Sequence, residues 1–190
     1  MNTFLPYPDY YKSMQSLDKS RLGNQVWREG ITLIRGGWPN HPASKMWRGH
    51  FYHLGLYLLD GIKVLAERGK YYDKIEAKIR AEMEKHDNNQ AAPLWIGDER
   101  FHSGHRSHLL SKGLIDSICD TAKTRLKIKK IDDWTKKICG KTKNQLKWQD
   151  SFHLHDVLRE QIGPFEIKNH YDQFGWEEDP AKPYVWPTNK

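Results

Sequence analysis

The chain has 190 residues and a formal net charge of +7 at pH 7, from 31 Lys and Arg against 24 Asp and Glu. This length is enough for one sizeable core, so we expect a single domain over residues 1–190. The positive charge favours a polyanionic partner, and the eight Trp and nine Tyr add stacking surfaces that favour nucleic acid. No segment has the about 20 consecutive apolar residues of a membrane-spanning helix, so no membrane partner is expected.

The cysteines and the N-terminal segment give further expectations. Cys119 and Cys139 lack CxxC spacing and are too few for a disulfide framework, so we interpret them as buried or incidental thiols. The start of the chain, MNTFLPYPDYY, has no basic region and no long apolar run, which is not typical of a signal peptide. These features predict a soluble, intracellular protein.

The first third of the chain predicts an arm and two helices. Pro6 and Pro8 favour an extended arm over residues 1–10, because each proline disfavours helix in the residue before it. A first helix is predicted over about 16–34, ending at the Gly36-Gly37 pair. A second begins at Pro42 and ends at Gly69, and its apolar residues recur at steps of three and four: Trp47, Phe51, Leu54, Leu58, Ile62 and Leu65.

The remaining elements are also predicted to be helical. Residues 71–87 form a charged helix, 88–99 a loop, and FHSGHRSHLLSKGLI a short helix. One or two short basic helices follow over 121–150, then a last helix over DSFHLHDVLREQIG. Because no repeat and no alternating strand pattern is present, we predict an all-α fold, a compact single-domain helical bundle with an extended N-terminal arm and an irregular C-terminal tail.

Glu29 lies on the apolar side of the first predicted helix. At 100° per residue it shares a narrow sector with Leu22, Val26 and Leu33. A carboxylate there costs free energy unless it is paired or faces a cleft. Two interpretations stay open: an ion pair with Arg28, Arg48 or Lys45 that joins two helices, or a general acid/base flanked by phosphate-binding arginines.

The neighbouring positions support the second interpretation. A polar stripe runs beside Glu29 and consists of Asp18, Arg21, Gln25, Arg28 and Thr32. The GGWPNHP turn is expected to bring Asn40 and His41 close to Glu29 or Arg28. His41 has the alternative role of a helix cap, and Trp38 is interpreted as a core residue in preference to a base-stacking wedge.

A histidine cluster follows the predicted loop. His102, His105 and Arg106 share one face of a helix and predict phosphate binding, with surface histidines as the alternative. The HxxH spacing lacks the glutamate of an HExxH motif and has no cysteine pair beside it, so no metal site is predicted.

Five blocks of the sequence resemble a known family: MNTFLPYPDYY, LDKSRLGNQ, GGWPNHPASKMWRG, WIGDERFHSGHRSHLL and PYVWP. In this order they are similar to the pyrimidine-dimer DNA glycosylase-like family, which resembles the phage endonuclease V type of base-excision enzyme. Residues 113–165 are interpreted as a variable, Lys-rich helical insertion. The resemblance implies an all-α enzyme without metal or other cofactor that binds double-stranded DNA, flips a nucleotide and cuts the N-glycosidic bond.

The resemblance also implies roles for residues. In the endonuclease V type an N-terminal α-amine attacks the sugar C1′, and a glutamate of the first long helix assists the elimination that cuts the strand. Here Glu29 matches that glutamate, and the expected catalytic set is Glu29, Met1, Asn2, Arg28 and His41. The expected DNA contacts are Arg21, Gln25, Asn40, Lys45, Trp47, Arg48, His102, His105 and Arg106.

This chain departs from the family pattern at two positions. The family's glutamate stands one residue earlier after the RLGxQ block, where this chain has Arg28, so either the helix is locally shifted or the role of the acid is altered. Residue 2 is Asn, which disfavours removal of the first methionine. The nucleophile is then the Met1 amine, or the enzyme is a monofunctional glycosylase that uses Glu29 and water.

We therefore predict a DNA glycosylase, with or without abasic-site lyase activity, that excises damaged or modified pyrimidines. The expected protein is a monomer in the cytoplasm of a bacterial or phage-infected cell. Two alternatives stay open: a noncatalytic DNA-binding or phage host-takeover protein on the same scaffold, and a metal-dependent nuclease built on the histidines.

Overall fold

The computed structural model describes residues 3–187, and every regular element in this range is a helix. The all-α fold class predicted from the sequence is therefore confirmed. The chain divides into two units, one formed by the described residues of Met1–His105 and Tyr184–Lys190 and the other by Arg106–Pro183. The expectations of a single domain and of an insertion over 113–165 stay predictions. None of the helices within 3–187 is long and apolar enough to cross a membrane.

The first unit begins with a non-helical segment and two short helices. Residues 3–9 are not helical, as predicted for this segment, but Thr3, Phe4 and Leu5 are buried. Helix α1 covers Tyr10–Ser16 and helix α2 covers Lys19–Gly23. The predicted start of the first long helix at about residue 16 is wrong, because Asp18 caps α2 by accepting hydrogen bonds from the backbone N–H groups of Ser20 and Arg21.

The chain continues from α2 without a break through a π-helix over Asn24–Gly30 into helix α3, Ile31–Ile34. The sector predicted to face the core does so, since Leu22, Val26 and Leu33 are buried. Gly30 lies against the long helix that follows, where an added Cβ would be 2.1 Å from Leu58 Cδ2.

The segment from Pro42 to Gly69, which was predicted to form one helix, forms two helices. Helix α4 covers Pro42–Trp47 and helix α5 covers Phe51–Glu67. Between them Gly49 has φ +82°, a left-handed conformation that ends α4 and redirects the chain. Helix α6 covers Asp73–Met83 and packs on α5, where Met83 fills the space beside Gly55.

Helix α7 covers Glu99–Arg125, so the short helix predicted around FHSGHRSHLL is 27 residues long. From Arg106 to Pro183 the chain belongs to the second unit, which also contains α8, Ile131–Cys139, and α9, Trp148–Ile162. Short 3-10 turns cover Lys143–Gln145 and His170–Phe174. The second unit has its own core, formed by Ile118, Ala122, Trp134, Leu154 and Leu158.

Candidate functional site at the π-helix

The π-helix over Asn24–Gly30 places Glu29. A π turn contains one residue more than an α turn. Such turns are rare in proteins overall, and those that occur are often at functional sites. Residues after the extra one move back by one position around the helix axis, so Glu29 takes the place that residue 28 would have on a regular α-helix. A local shift of the helix is one of the two explanations for the position of Glu29 after the RLGxQ block, and the match of Glu29 to the family's glutamate stays a prediction.

Glu29 lies at a cavity of about 670 Å³ in the first unit. This volume is in the range of small-molecule sites and is large enough for a nucleobase together with its sugar. The cavity combines a carboxylate, a guanidinium, an amide, an imidazole and an indole, and its lining residues are Asn24, Arg28, Glu29, Trp38, Pro39, Asn40 and His41. The structure therefore brings Arg28, Glu29, Asn40 and His41 together, as the sequence predicted for the GGWPNHP turn.

The turn that carries Trp38 to Asn40 is held at several points. The backbone N–H of Gly37 donates to the carbonyl of Thr32 (2.8 Å), and the Ser44 hydroxyl donates to the carbonyl of Gly37 (3.0 Å). A side chain on Gly37 would meet Thr32 Cγ2 at 2.4 Å, so this approach requires glycine. The Arg48 guanidinium donates to the carbonyl of Pro39 (3.2 Å). The turn is thus fixed against both helices that it joins.

Trp38 differs from its sequence interpretation. Its indole is 51% exposed and lines the cavity, so the prediction of a core residue is wrong. Its φ is +50°, a left-handed conformation that is strained for a bulky residue. Strain of this kind is concentrated at functional sites, where surrounding contacts maintain it. The backbone that carries the exposed ring is therefore held in position beside the cavity.

His41 both caps α4 and lines the cavity. Its Nδ1 accepts a hydrogen bond from the backbone N–H of Ala43 (3.1 Å), so the neutral ring carries its proton on Nε2. Burial lowers the pKa of His41, while the Glu29 carboxylate acts in the opposite direction. The neutral form with an Nε2–H donor is therefore favoured at pH 7.

Gln25 connects Glu29 to the N-terminal segment. Its Nε2 donates to Glu29 Oε2 (2.9 Å), and its Oε1 accepts from the backbone N–H of Phe4 (2.9 Å). The Tyr57 hydroxyl lies 3.0 Å from the same Oε1. Because Gln25 is only 2% exposed, its predicted role as a DNA contact is wrong in this structure.

Three more predicted DNA contacts are core residues. Trp47 is fully buried, donates from its indole N–H to Thr3 Oγ1 (3.1 Å) and packs against Trp95. His102 and His105 are also fully buried. Burial prevents these three side chains from reaching a phosphate, so they are not DNA contacts in this structure. The spacing of residues along a helix did not show that their surroundings are apolar.

The two histidines hold the N-terminal segment instead. The backbone N–H of Leu5 donates to His105 Nδ1 (3.1 Å), and the carbonyl of Leu5 lies 2.7 Å from His102 Nδ1. His102 Nε2 accepts from the N–H of Gly97 (3.0 Å), so its Nδ1 carries the proton and donates to Leu5. Both rings thus act as neutral groups that position the segment next to Gln25.

The remaining predicted residues lie in different surroundings. Arg21 pairs with Asp18 (2.5 Å) beside the cap of α2, whereas Lys45 and Arg48 are exposed on and after α4. Arg106 forms an ion pair with Glu178 in the second unit. Met1 and Asn2 lie outside the described residues. Across 3–187, no group of three or more His, Cys, Asp or Glu side chains is arranged to hold a metal ion.

The first part of the chain matches a known family. Residues 1–79 match the model of a family described as pyrimidine dimer DNA glycosylase, and the resemblance expected from the sequence is confirmed over these residues. The match contains the first three of the five sequence blocks and every residue that lines the cavity. The comparisons with curated proteins and with solved structures found no match.

Proposed function

Since residues 1–79 match the pyrimidine dimer DNA glycosylase family, we propose that the protein is a DNA glycosylase that excises damaged or modified pyrimidines from duplex DNA. The observation that carries this proposal is the position of Glu29 at a cavity large enough for an extruded nucleotide, whose lining lies wholly within the matched residues. The formal charge of +7 supports a polyanionic substrate.

A base inside a duplex is out of reach of a cavity, so the target nucleotide must leave the stack before the reaction. In the proposed complex the base occupies the cavity, with its face against Trp38 and its polar edge near Asn40 and the Nε2–H of His41. Arg28, which is exposed at the cavity, contacts a phosphate beside the extruded nucleotide.

Glu29 acts where charge develops during base release. As the bond between C1′ and the base breaks, the base leaves with the bonding electrons and positive charge grows on the sugar. A carboxylate beside the sugar stabilises that charge. In the monofunctional form of the reaction, Glu29 also accepts a proton from the water that attacks C1′.

In the bifunctional form an amine replaces water. The amine nitrogen bonds to C1′ while the base leaves with the electrons of its bond to C1′. Transfer of the amine proton to the ring oxygen opens the sugar and gives a Schiff base. Loss of the C2′ proton then expels the 3′ phosphate, and this β-elimination cuts the strand. Two hydrogen bonds, from Phe4 to Gln25 and from Gln25 to Glu29, connect the N-terminal segment to the carboxylate. This connection supports an amine of the N-terminal segment as the nucleophile. The Met1 amine is the proposed nucleophile.

The test compares Glu29→Gln with Glu84→Gln on duplexes that contain pyrimidine dimers, uracil or modified pyrimidines. Glu84 is an exposed residue at the end of α6, so its variant makes the same charge change at a different place. We expect Glu29→Gln to abolish base release and to retain duplex binding, and Glu84→Gln to behave as wild type. Unchanged base release by Glu29→Gln would overturn the assignment of this residue.

Borohydride reduction separates the two forms of the reaction. A covalent protein–DNA adduct establishes the Schiff base, and mass spectrometry locates the amine. Base release without an adduct establishes a monofunctional glycosylase. Salt-dependent duplex binding without an abasic product on any of the substrates supports the noncatalytic DNA-binding alternative.

A further inference from the structure

The buried amide of Gln25 has only one possible orientation. The backbone N–H of Phe4 can only donate a hydrogen bond, so the Gln25 atom that faces it is the carbonyl oxygen. Burial, and secondarily the Glu29 carboxylate, raises the pKa of Tyr57, so the neighbouring hydroxyl keeps its single proton and shares it between the Phe4 carbonyl (2.9 Å) and the same Gln25 oxygen (3.0 Å). The NH2 group is thereby directed to Glu29 Oε2.

We propose that Gln25 is a positioning residue that holds the Glu29 carboxylate at the cavity. The hydrogen bond to Glu29 is charge-assisted, and such bonds are about twice as strong as neutral ones. Because the Phe4 N–H by itself fixes the orientation of the Gln25 amide, the carboxylate is restrained before substrate arrives. This inference rests on the proposed function, in which Glu29 acts in base release.

Three variants separate positioning from packing. Gln25→Met keeps the approximate length of the side chain and removes all of its hydrogen bonds. Gln25→Glu keeps an oxygen for the donors Phe4 and Tyr57 but has no donor for Glu29 when it is ionised. Tyr57→Phe is the matched control, because it removes one donor to Gln25 and leaves the Phe4 N–H to orient the amide.

We expect both Gln25 variants to lower kcat for base release about tenfold or more, with KM changed by less than about twofold, as for other groups that orient a reacting side chain. Tyr57→Phe is expected to retain most of the wild-type kcat. A wild-type kcat in Gln25→Glu, or a change confined to KM, would overturn the inference. Absence of base release by the wild-type protein instead overturns the proposed function and the inference with it.

A spectroscopic measurement tests the contact without activity. In wild-type protein the side-chain amide protons of Gln25 should exchange slowly, and their resonances should move in Glu29→Gln because the charge-assisted bond is lost. Glu84→Gln should leave them in place. Rapid exchange, or resonances that are the same in Glu29→Gln and wild type, would contradict the hydrogen bond on which the inference depends.

A separate observation concerns the second unit. The segment from the end of α7 to the start of α8 contains five exposed cationic side chains and no carboxylate within KTRLKIKK; they are Lys123, Arg125, Lys127, Lys129 and Lys130. Leu126 and Ile128, between them, pack against the core of this unit. The segment is thus anchored by its apolar residues and presents its cations outward. We call it the basic segment.

We infer that the basic segment binds the phosphate backbone of duplex DNA, in addition to the cavity of the first unit. This inference also rests on the proposed function, since it assumes a DNA substrate. Lys141, Lys143 and Lys168, elsewhere in the second unit, form ion pairs with carboxylates, whereas within residues 3–187 no ion pair is found for the five cations of the basic segment, so its charge is available for an external anion. Each phosphate contact contributes about 0.9 to the slope of log K against log salt.

The test is a pair of double variants with equal charge changes. Lys129→Ala with Lys130→Ala alters the basic segment, and Lys74→Ala with Lys78→Ala alters exposed lysines of α6 in the first unit. We expect the first pair to reduce the salt slope of duplex binding by about 1.8, from two contacts at about 0.9 each, and the second pair to leave it near wild type. Equal slopes in both double variants, or no change in the first, would overturn the inference. Absence of duplex binding by wild type would overturn the proposed function instead.

Discussion

Gly30 lies in van der Waals contact with Leu58, and the space between the π-helix and α5 has no room for a side chain. A Cβ on Gly30 would be 2.1 Å from Leu58 Cδ2 and 2.5 Å from the carbonyl oxygen of Gln25. The second of these contacts involves backbone, which cannot rotate away as a side chain does. The π-helix and its position on α5 therefore depend on glycine at this residue.

We predict that Gly30→Ala lowers the free energy of unfolding by about 1–3 kcal/mol, the usual cost of overpacking. Gly23→Ala is the matched control, because a Cβ there meets nothing within 4 Å and alanine favours helix by up to about 1 kcal/mol. Urea unfolding of the two variants checks the difference. Equal stability of both variants would show that the contact of Gly30 with Leu58 relaxes without cost.

Trp38 is predicted to stack on the extruded base. Stacking of a base on an aromatic ring is worth about 1–3 kcal/mol, so Trp38→Ala should lower kcat/KM for base release about 5- to 150-fold. Trp38→Phe should retain a larger part of the wild-type kcat/KM than Trp38→Ala does. Trp27→Ala is the control, since Trp27 is also exposed, at 61%, but is not among the residues that line the cavity. Equal losses in Trp27→Ala and Trp38→Ala would contradict a specific role for Trp38.

His41 is predicted to make stability depend on pH. Burial lowers the pKa of the folded ring below the ordinary value of 6.5, so the unfolded state binds more protons in the interval between the two values. The stabilisation is fully present above pH 6.5 and is lost as the pH falls through the folded pKa. Thermal melts of wild type and His41→Asn from about pH 5 to about pH 8 should show this difference, because asparagine keeps a cap for α4 and does not titrate. A difference in melting temperature between wild type and His41→Asn that stays constant over this pH range would contradict the role of His41.

The two cysteines are predicted to differ in reactivity. Burial raises the pKa of Cys119 to about 12, which leaves almost no thiolate, whereas Cys139 is partly exposed and the pKa of its thiol is raised less by burial. At about pH 8, a thiol reagent should modify Cys139 in the native protein and Cys119 only after unfolding. Mass spectrometry of the labelled peptides identifies the site. Labelling of Cys119 before Cys139 in the native protein would contradict this prediction.

Periodicity and composition were sufficient for the fold class and for part of the site. The apolar positions Leu22, Val26 and Leu33 face the core as the pattern predicted, because burial of apolar surface dominates the placement of a helix. The same reasoning placed Glu29 within that sector, whereas the π-helix leaves it only half-buried, and it predicted correctly that the turn brings Asn40 and His41 to the same place as Glu29. Such features follow from residue type and spacing.

The roles of Gln25, Trp38, His102 and His105 were decided by tertiary structure. These side chains are polar or amphipathic, and residue type does not specify whether their partner is solvent or a backbone group distant in sequence. Leu5 and His105 are 100 residues apart, and no local pattern indicates that they form a hydrogen bond. The positive φ of Trp38 depends on hydrogen bonds and packing from α3 and α4 around its turn.

The sequence by itself thus determined that the chain is helical, that its N-terminal part is similar to one family of DNA glycosylases, and that the Glu29 carboxylate lies close to the turn that carries Asn40 and His41. Helix periodicity and local motifs carry this information because they depend on residues within a few turns of each other. Only the tertiary structure decided which neighbours orient that carboxylate and which aromatic side chain is exposed beside it. Those outcomes depend on close approaches such as Gly30 to Leu58 and on hydrogen bonds such as Phe4 to Gln25, which form only when the whole unit packs.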